Sequence, residues 1–412
     1  MAILQTDICI IGAGPGGATA AIQLAKLGYG CLLVDKAVFP RDKICGDALS
    51  GKVVETLRKL DGGVLQRLHG DVPQVGSWGV NFVAPNGKVL RVPFKRQIDT
   101  QAMPPGYISK RMDFDHFLLQ EALKYPQVQW LGNTAIEQFE RVGEGYRLSS
   151  KDGNTVINAR LVLAADGAQS QFARQIGGIN MERAHYCAGI RAYYTGVQGR
   201  DAQNFIELHF IKDLLPGYFW IFPLPNGAAN VGLGMRSDFV AKKKLNLSAM
   251  LPQLIASHPI LKERFQQATL EGPIKGFGLP LGSKKRRISG DHYLLLGDAA
   301  SLIDPFTGEG IGNAMVSGVL AAQQAAQCLD ANRFDAAHML HYDKAVYNKL
   351  WSELSLSRRM QQLVQVPWLF NLVVNKALRN KTLQETISCM FEDLDMRARL
   401  KKPSFYVNLL ID

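Results

Sequence analysis

None of the six cysteines, Cys9, Cys31, Cys45, Cys187, Cys328 and Cys389, stands in a C-x-x-C or other metal-ligand spacing. That excludes a zinc module and speaks against a disulfide framework, so the thiols read as reduced and the compartment as reducing. Long apolar runs are missing as well. No uninterrupted apolar window reaches the roughly 18 residues a bilayer span needs, so no segment is expected to cross a membrane. The apolar N-terminal stretch ICIIGAG follows Asp7 and has no basic segment before it, which argues against a signal peptide. Internal repeats, low-complexity tracts and Gly/Ser linkers are absent too. Acidic residues are outnumbered, 36 against 47 basic ones, leaving a net charge of +11 that favours anionic partners. The excess gathers in GSKKRRISG (282–290) and RARLKK (397–402), runs that usually form solvated loops. Nucleic acid is not an expected partner, because no zinc-finger spacing, RNP-type segment or helix-turn-helix pattern accompanies the charge.

A chain of 412 residues, 47% hydrophobic and 20% charged, can bury two or more cores. Its first 36 residues include TDICIIGAGPGGATAAIQLAKLGYGCLLVDK, which reads as strand (7–11), glycine turn, helix (about 16–27) and strand (31–35). In this βαβ unit Gly12 permits the tight turn, Gly14 lets the backbone approach a pyrophosphate, and Gly17 lets helix and strand pack closely. Pro15 and Gly16 open the helix, whose free N–H groups face the phosphates. Asp35 ends the second strand where an acid accepts from ribose hydroxyls, with Lys36 beside the cofactor. Two further segments repeat the strand-then-turn form. LVLAADGAQSQFAR (161–174) ends its strand at Asp166-Gly167, with Ser170 and Arg174 on a following helix. HYLLLGDAASLIDPFTGEGIGNAMVSG (292–318) ends its strand at Gly297-Asp298, then turns through Pro305, Gly308 and Gly310 into a helix from about residue 311. Asp298 suits a ribityl hydroxyl, and the last helix N-terminus suits the pyrimidine end of a flavin. NAD needs neither, so FAD is the expected cofactor.

With its three fingerprints in this order, the chain from about residue 5 to 330 resembles the FAD-dependent family of aromatic hydroxylases, flavin halogenases and geranylgeranyl reductases. The resemblance implies that Arg111, in KRMDFDHFL, contacts FAD and that Ala135, in GNTAIEQ, lies against the adenine. It also implies an α/β fold: a discontinuous Rossmann-type FAD-binding domain (1–74, 105–183 and 287–330), a mainly antiparallel β-sheet substrate domain (75–104 and 184–286) and a helical C-terminal region (331–412). The segment VGSWGVNFVAPNGKVLRV alternates about a Pro-Asn-Gly turn and reads as a hairpin. AGIRAYYTG, NFIELHFI, GYFWIFPL and NVGLGMR read as strands, the interval near 246–267 and the chain from about 311 to near 400 as helical, with Pro367 as a break.

Tyr218, Trp220 and Phe222 alternate in GYFWIFPLPNG and so share one face of a strand. Together with Gly232 and Gly234 they match Y-x-W-x-F-P, eight residues, G-x-G, which looks like the signature of the geranylgeranyl reductase branch. Halogenases carry a similar W-x-W-x-I-P. The separator is FPRDKICGDAL (39–49): the reductase branch typically has Lys-x-Cys-Gly at the flavin, and this chain follows it with Lys43, Cys45, Gly46 and Asp47, with Ala48 close behind, whereas halogenases commonly have Gly-Glu-Ser. Ser301 departs from the family, standing where glycine is common. The resemblance implies a reductase that saturates polyprenyl double bonds by hydride transfer from reduced FAD, with the lipid against Tyr218, Trp220 and Phe222 and with Cys45 and Tyr218 as candidate proton sources. The alternative is a flavin monooxygenase or halogenase acting on an aromatic or polyketide substrate; a non-catalytic flavin or lipid carrier is the other rival. The expected partners are an isoprenoid lipid and an electron donor, either NADPH or a ferredoxin-like protein. QLVQVPWLFNLVVNKALRNK (362–381), with Lys376, Arg379 and Lys381, suits either packing on the FAD domain or peripheral contact with an anionic membrane. Localisation is expected to be cytoplasmic, at most peripheral on the inner face of the membrane.

Overall fold

The computed structural model describes residues 2–95 and 97–380. Cys389, Lys381, RARLKK and the end of the expected helical region lie outside the described residues. Ile8, Cys9, Ile10 and Ile11 form a continuous buried run. Such a run suits a parallel strand covered on both faces. The strand Ala2–Ile11 is central to an 8-stranded sheet. Parallel partners flank it in the order Tyr293–Leu295, Thr155–Ala164, Ala2–Ile11, Cys31–Val34, Val128–Leu131. The hairpin Ile136–Val142 and Gly145–Ser150 extends Thr155–Ala164.

The helix Pro15–Lys26 follows the first strand, with Pro15 in its first turn, where a missing N–H costs nothing. It packs against the helix Ile311–Ala331, and Gly318 makes this approach possible: a Cβ there would lie 2.4 Å from the Gly16 carbonyl oxygen.

A 7-stranded sheet forms the second layer, in the order Thr269–Pro280, Tyr186–Thr195, Ala228–Arg236, Tyr218–Pro223, Ile206–His209, Gly79–Val83, Val89–Pro93. Its pairings are antiparallel except that Ile206–His209 runs parallel to Gly79–Val83. The expected hairpin about Pro-Asn-Gly is the last pair, with Gly87 at φ 79°. Thr269–Pro280 carries little strand signal in its sequence, because EGPIKGFGLP breaks alternation with glycine and proline. It is an edge strand, the position that tolerates such residues. The helices Leu247–Ser257 and Pro259–Arg264 fill the expected helical interval, and a further short helix, Ser237–Lys243, precedes them. Leu251 of Leu247–Ser257 and Leu261 of Pro259–Arg264 pack with Phe219, Ile221 and Leu233 on the outer face of the sheet.

The helix Ala336–Leu363 ends before Pro367, which occupies the first turn of Pro367–Ala377. This last helix does not pack on the FAD-binding sheet. Phe370 meets Phe210 with ring centroids 4.8 Å apart, and Asn371 Oδ1 accepts from the Asn86 N–H, so the helix closes the second sheet instead. The run GSKKRRISG is also less solvated than its charge suggests: Ser283, Ile288 and Ser289 are buried, and Lys284 pairs with Glu182 at 2.7 Å. Among the described residues no helix is long and apolar enough to cross a membrane.

Candidate active site

Ile11, Val34, Ala164 and Leu295 end their parallel strands in register along one sheet edge. Ligands of open α/β sheets bind beyond such ends. The residues that follow, Gly12, Asp35, Asp166 and Gly297-Asp298, all line one cavity of about 1800 Å³. This exceeds the usual roughly 300–1,000 Å³ of a small-molecule site and leaves room for a large cofactor together with a second molecule.

Gly12 has φ 102°, and a Cβ would lie 2.4 Å from the Ala165 carbonyl oxygen. Gly17 is set against strand rather than ligand, since a Cβ there would fall 1.8 Å from the Gly12 carbonyl oxygen, and it does not reach the cavity. Gly14, Pro15 and Gly16 do line it. Asp35 accepts from the Ala13 and Ala37 N–H groups, each at 2.8 Å, which holds its carboxylate at the wall. Lys36, Ala48 and Ala135 stand on the same lining. Asp166 Oδ1 is buried without a partner, and burial raises its pKa to about 6 against the Ser170 hydrogen bond. A buried acceptor of this kind calls for a hydroxyl donor such as a flavin dinucleotide carries. The helix Ile311–Ala331 begins at the wall, where the Glu309 carboxylate accepts from the Gly312 N–H at 2.5 Å and so takes one of its free donors. These features fit FAD.

Arg111 lines the cavity but is engaged by Asp115, through Nε at 2.6 Å and Nη2 at 2.7 Å. Ser301 sits at φ 55°, in the left-handed region, which is why glycine is the easier residue there.

The second sheet supplies the opposite wall. Tyr218, Trp220 and Phe222 do share a face, with successive ring centroids 6.3 and 6.2 Å apart. Only Trp220 and Phe222 line the cavity, however, together with Leu208, Phe277 and Phe306. Tyr218 is diverted: its hydroxyl donates to the Thr307 carbonyl at 2.7 Å and its ring meets Phe210, so it braces the turn before the last Rossmann helix. The three rings thus differ in what they meet: Trp220 and Phe222 stand on the cavity lining, and the Tyr218 hydroxyl is bound to the turn at Thr307 and Gly308 beside it.

The loop holding Cys45 lies between the two walls. Lys43, Cys45 and Gly46 line the cavity, and Gly46 abuts Phe222 so closely that a Cβ would meet the ring at 2.8 Å. Burial raises the Cys45 pKa, opposed by the nearby Arg111 guanidinium, so the thiol keeps its proton. Burial lowers Lys43 to about 8, opposed by Asp298, and its ammonium rests 3.5 Å from the centroid of the Phe277 ring. Asp42 anchors the loop to the second sheet through Arg191 and Lys275, both at 2.8 Å.

The FAD binding domain family matches residues 5–206. A digeranylgeranylglycerophospholipid reductase of Thermoplasma volcanium is 30% identical over 353 residues, covering 83% of each chain. The chain belongs to the geranylgeranyl reductase family of FAD-dependent oxidoreductases. A menaquinone reductase of Mycolicibacterium smegmatis is 28% identical over 433 residues, 99% of this reductase and 98% of the relative. Among solved structures, a geranylgeranyl bacteriochlorophyll reductase-like protein of Thermoplasma acidophilum superposes with a TM-score of 0.80 at 22% identity over the whole of both chains. A flavin-dependent brominase superposes with a TM-score of 0.76 at 22% identity over 98% of each, which shows the shared fold alone.

Sequence reasoning had Asp47 only as part of the loop motif and missed its partners Tyr193 and Asn230, which join the walls of this reductase. Asp47 is fully buried at φ 68° and accepts from Tyr193 Oη at 2.8 Å and Asn230 Nδ2 at 2.7 Å. Burial still raises it to about 6. The available signal was an asparagine inside an otherwise apolar strand, between Phe222-Pro223 and the G-x-G pair.

Proposed function

We propose that this reductase saturates carbon–carbon double bonds in the polyprenyl chain of a lipid. The observation that carries the reading is the meeting, in one cavity, of an apolar wall built on Trp220 and Phe222 with a protonated Cys45 thiol. A geranylgeranyl chain buries roughly several hundred Å² at about 25 cal/mol per Å², enough to draw it against such a wall. The relatives are named for a digeranylgeranylglycerophospholipid and for menaquinone, both of which carry polyprenyl chains.

FAD, which Gly12, Gly14, Asp35 and Asp166 would hold, would when bound and reduced supply a hydride, two electrons and one hydrogen, with NADPH or a ferredoxin-like protein as the external source of those electrons. The other alkene carbon needs a proton. Cys45 can give one because burial keeps its thiol protonated, and a polyprenyl chain seated on the aromatic wall would displace water there, so acid strength counts. One π bond is lost and two C–H bonds form. Arg174, His185 and Arg286 on the cavity lining suit an anionic headgroup left at the rim.

Anaerobic photoreduction followed by addition of a geranylgeranyl lipid tests this. The expected result is reoxidised flavin and a product two mass units heavier per reduced bond. A flavin that stays reduced with no heavier product, or oxygen uptake coupled to a hydroxylated or halogenated product, overturns it.

A peripheral membrane contact extends the same reading. Trp368 is 67% exposed on the helix Pro367–Ala377, Val366 and Leu378 flank it at 37% and 44%, and Arg379 follows. An indole and cations on one short helix suit an anionic lipid surface. Trp368→Ser should reduce co-sedimentation with phosphatidylglycerol vesicles by about tenfold, given the apolar area withdrawn. Equal sedimentation of both proteins refutes the contact.

A further inference from the structure

Asn230 is wholly buried on the strand Ala228–Arg236, in register with Phe222 on one side and Tyr193 on the other. A primary amide offers two N–H donors and one carbonyl acceptor. All are used. Oδ1 accepts from Trp220 Nε1 at 2.9 Å, while Nδ2 donates to the Cys45 carbonyl at 2.8 Å and to Asp47 Oδ2 at 2.7 Å. The partners fix the orientation of the amide, because a flip would set N–H against the indole N–H and oxygen against two oxygens. Asp47 is held in turn by Tyr193 Oη and by the Arg111 backbone N–H at 3.2 Å. A non-glycine residue at φ 68° persists only where its surroundings determine it, and here three elements do.

We propose that Asn230 is a positioning residue that locks the Trp220 indole and the Cys45 loop into one body, fixing the thiol relative to the lipid-facing wall. The inference rests on the reading that Cys45 works beside the substrate. A lipid chain pressing on Trp220 then meets a wall whose hydrogen bond runs directly to the loop bearing the proton. Without the amide, indole and loop settle separately and the thiol loses its placement. The buried Cys45 carbonyl and Asp47 carboxylate also lose a donor, which favours opening of the loop.

Two variants of the FAD-loaded protein test it, read by iodoacetamide labelling of Cys45 with the Cys187 peptide as internal reference. Asn230→Leu should label at Cys45 at least about tenfold faster, since the loop loses both N–H donors of the amide, with Cys187 unchanged. Its kcat for prenyl reduction should fall more than its KM rises, with flavin content retained. Asn230→Asp keeps the acceptor for Trp220 but sets a second carboxyl against Asp47. Asp47 faces Tyr193 and Arg191 from the strand Tyr186–Thr195, Arg111 from the helix Arg111–Leu123, and Cys45 from its own loop. Adjacent carboxyls share one proton. Asn230→Asp should therefore label like the parent at about pH 5 and like Asn230→Leu at about pH 8. Should Asn230→Leu give no yellow protein, the pH profile of Asn230→Asp decides. Cys45 labelling within about twofold of the parent in Asn230→Leu, or a pH-independent Asn230→Asp, overturns the proposal. Labelling needs no lipid, so a parent enzyme that reduces no prenyl chain refutes the proposed function separately.

Discussion

Cys45→Ala should bind FAD as tightly as the parent, accept electrons from dithionite as readily, and reduce prenyl double bonds about a hundred- to ten-thousandfold more slowly, the range for a lost general acid. An isolated alkene accepts a hydride poorly unless a proton arrives almost with it. In the cavity Cys45 and Lys43 are the loop side chains whose protons are weakly enough held to be given up, Arg41 being a permanent cation, and the Tyr218 hydroxyl donates to the Thr307 carbonyl. The two differ in their response to pH. Lys43 loses its proton as pH rises through about 8, whereas burial holds the Cys45 thiol protonated beyond its ordinary range. Single-turnover reoxidation by a prenyl lipid, followed from about pH 7 to about pH 9, should therefore show no midpoint near 8 if the thiol is the acid. A decline centred near 8, with less than about a tenfold loss in Cys45→Ala, transfers the role to Lys43.

Gly17→Ala should abolish yellow, folded protein, while Gly14→Ala should fold and lose FAD. The two glycines belong to one fingerprint but meet different things. At Gly17 a Cβ would sit 1.8 Å from the Gly12 carbonyl oxygen and 3.2 Å from Ile10, so the helix Pro15–Lys26 must leave the central strand. Overpacking of backbone against backbone costs about 3 kcal/mol or more, and here it also pulls the phosphate-facing helix end out of place. At Gly14 the nearest atom is Arg41 Nη2 at 3.7 Å, an ordinary contact, and φ is −71°. The added methyl therefore intrudes only on the space a dinucleotide would fill. Thermal melts with and without added FAD separate the cases. Gly14→Ala should melt like the parent apoprotein and lose most of the FAD-induced shift, whereas Gly17→Ala should show no cooperative melt. Equal behaviour of the two variants would falsify this division of roles.

Much of the cofactor half was legible because its information is local. Gly12 to Asp35 is one continuous string in which strand, turn, helix and strand follow each other within the reach of a single βαβ unit, and the same holds for Asp166-Gly167 and for Gly297 to Ile311. The aromatic face was legible too, since alternation in a strand is a property of its own backbone. What lay beyond was the fate of each ring. Tyr218 follows the same alternation as Trp220 and Phe222, yet the Thr307 carbonyl takes its hydroxyl, and that carbonyl is 89 residues away.

The edge strand Thr269–Pro280 and the last helix follow the same logic. Glycine and proline hide a strand that only its neighbour Tyr186–Thr195 induces, and the apolar stripe of Pro367–Ala377 could not say which layer it would cover. The sequence by itself determined the nucleotide frame, the cofactor class and the family, because short-range geometry and residue type are enough for those. Tertiary structure alone decided that Asn230 ties the wall to the Cys45 loop across 185 residues, and that the Tyr218 hydroxyl goes to the Thr307 carbonyl. Such contacts depend on how two sheets pack, and packing sums over many residues far apart in the chain.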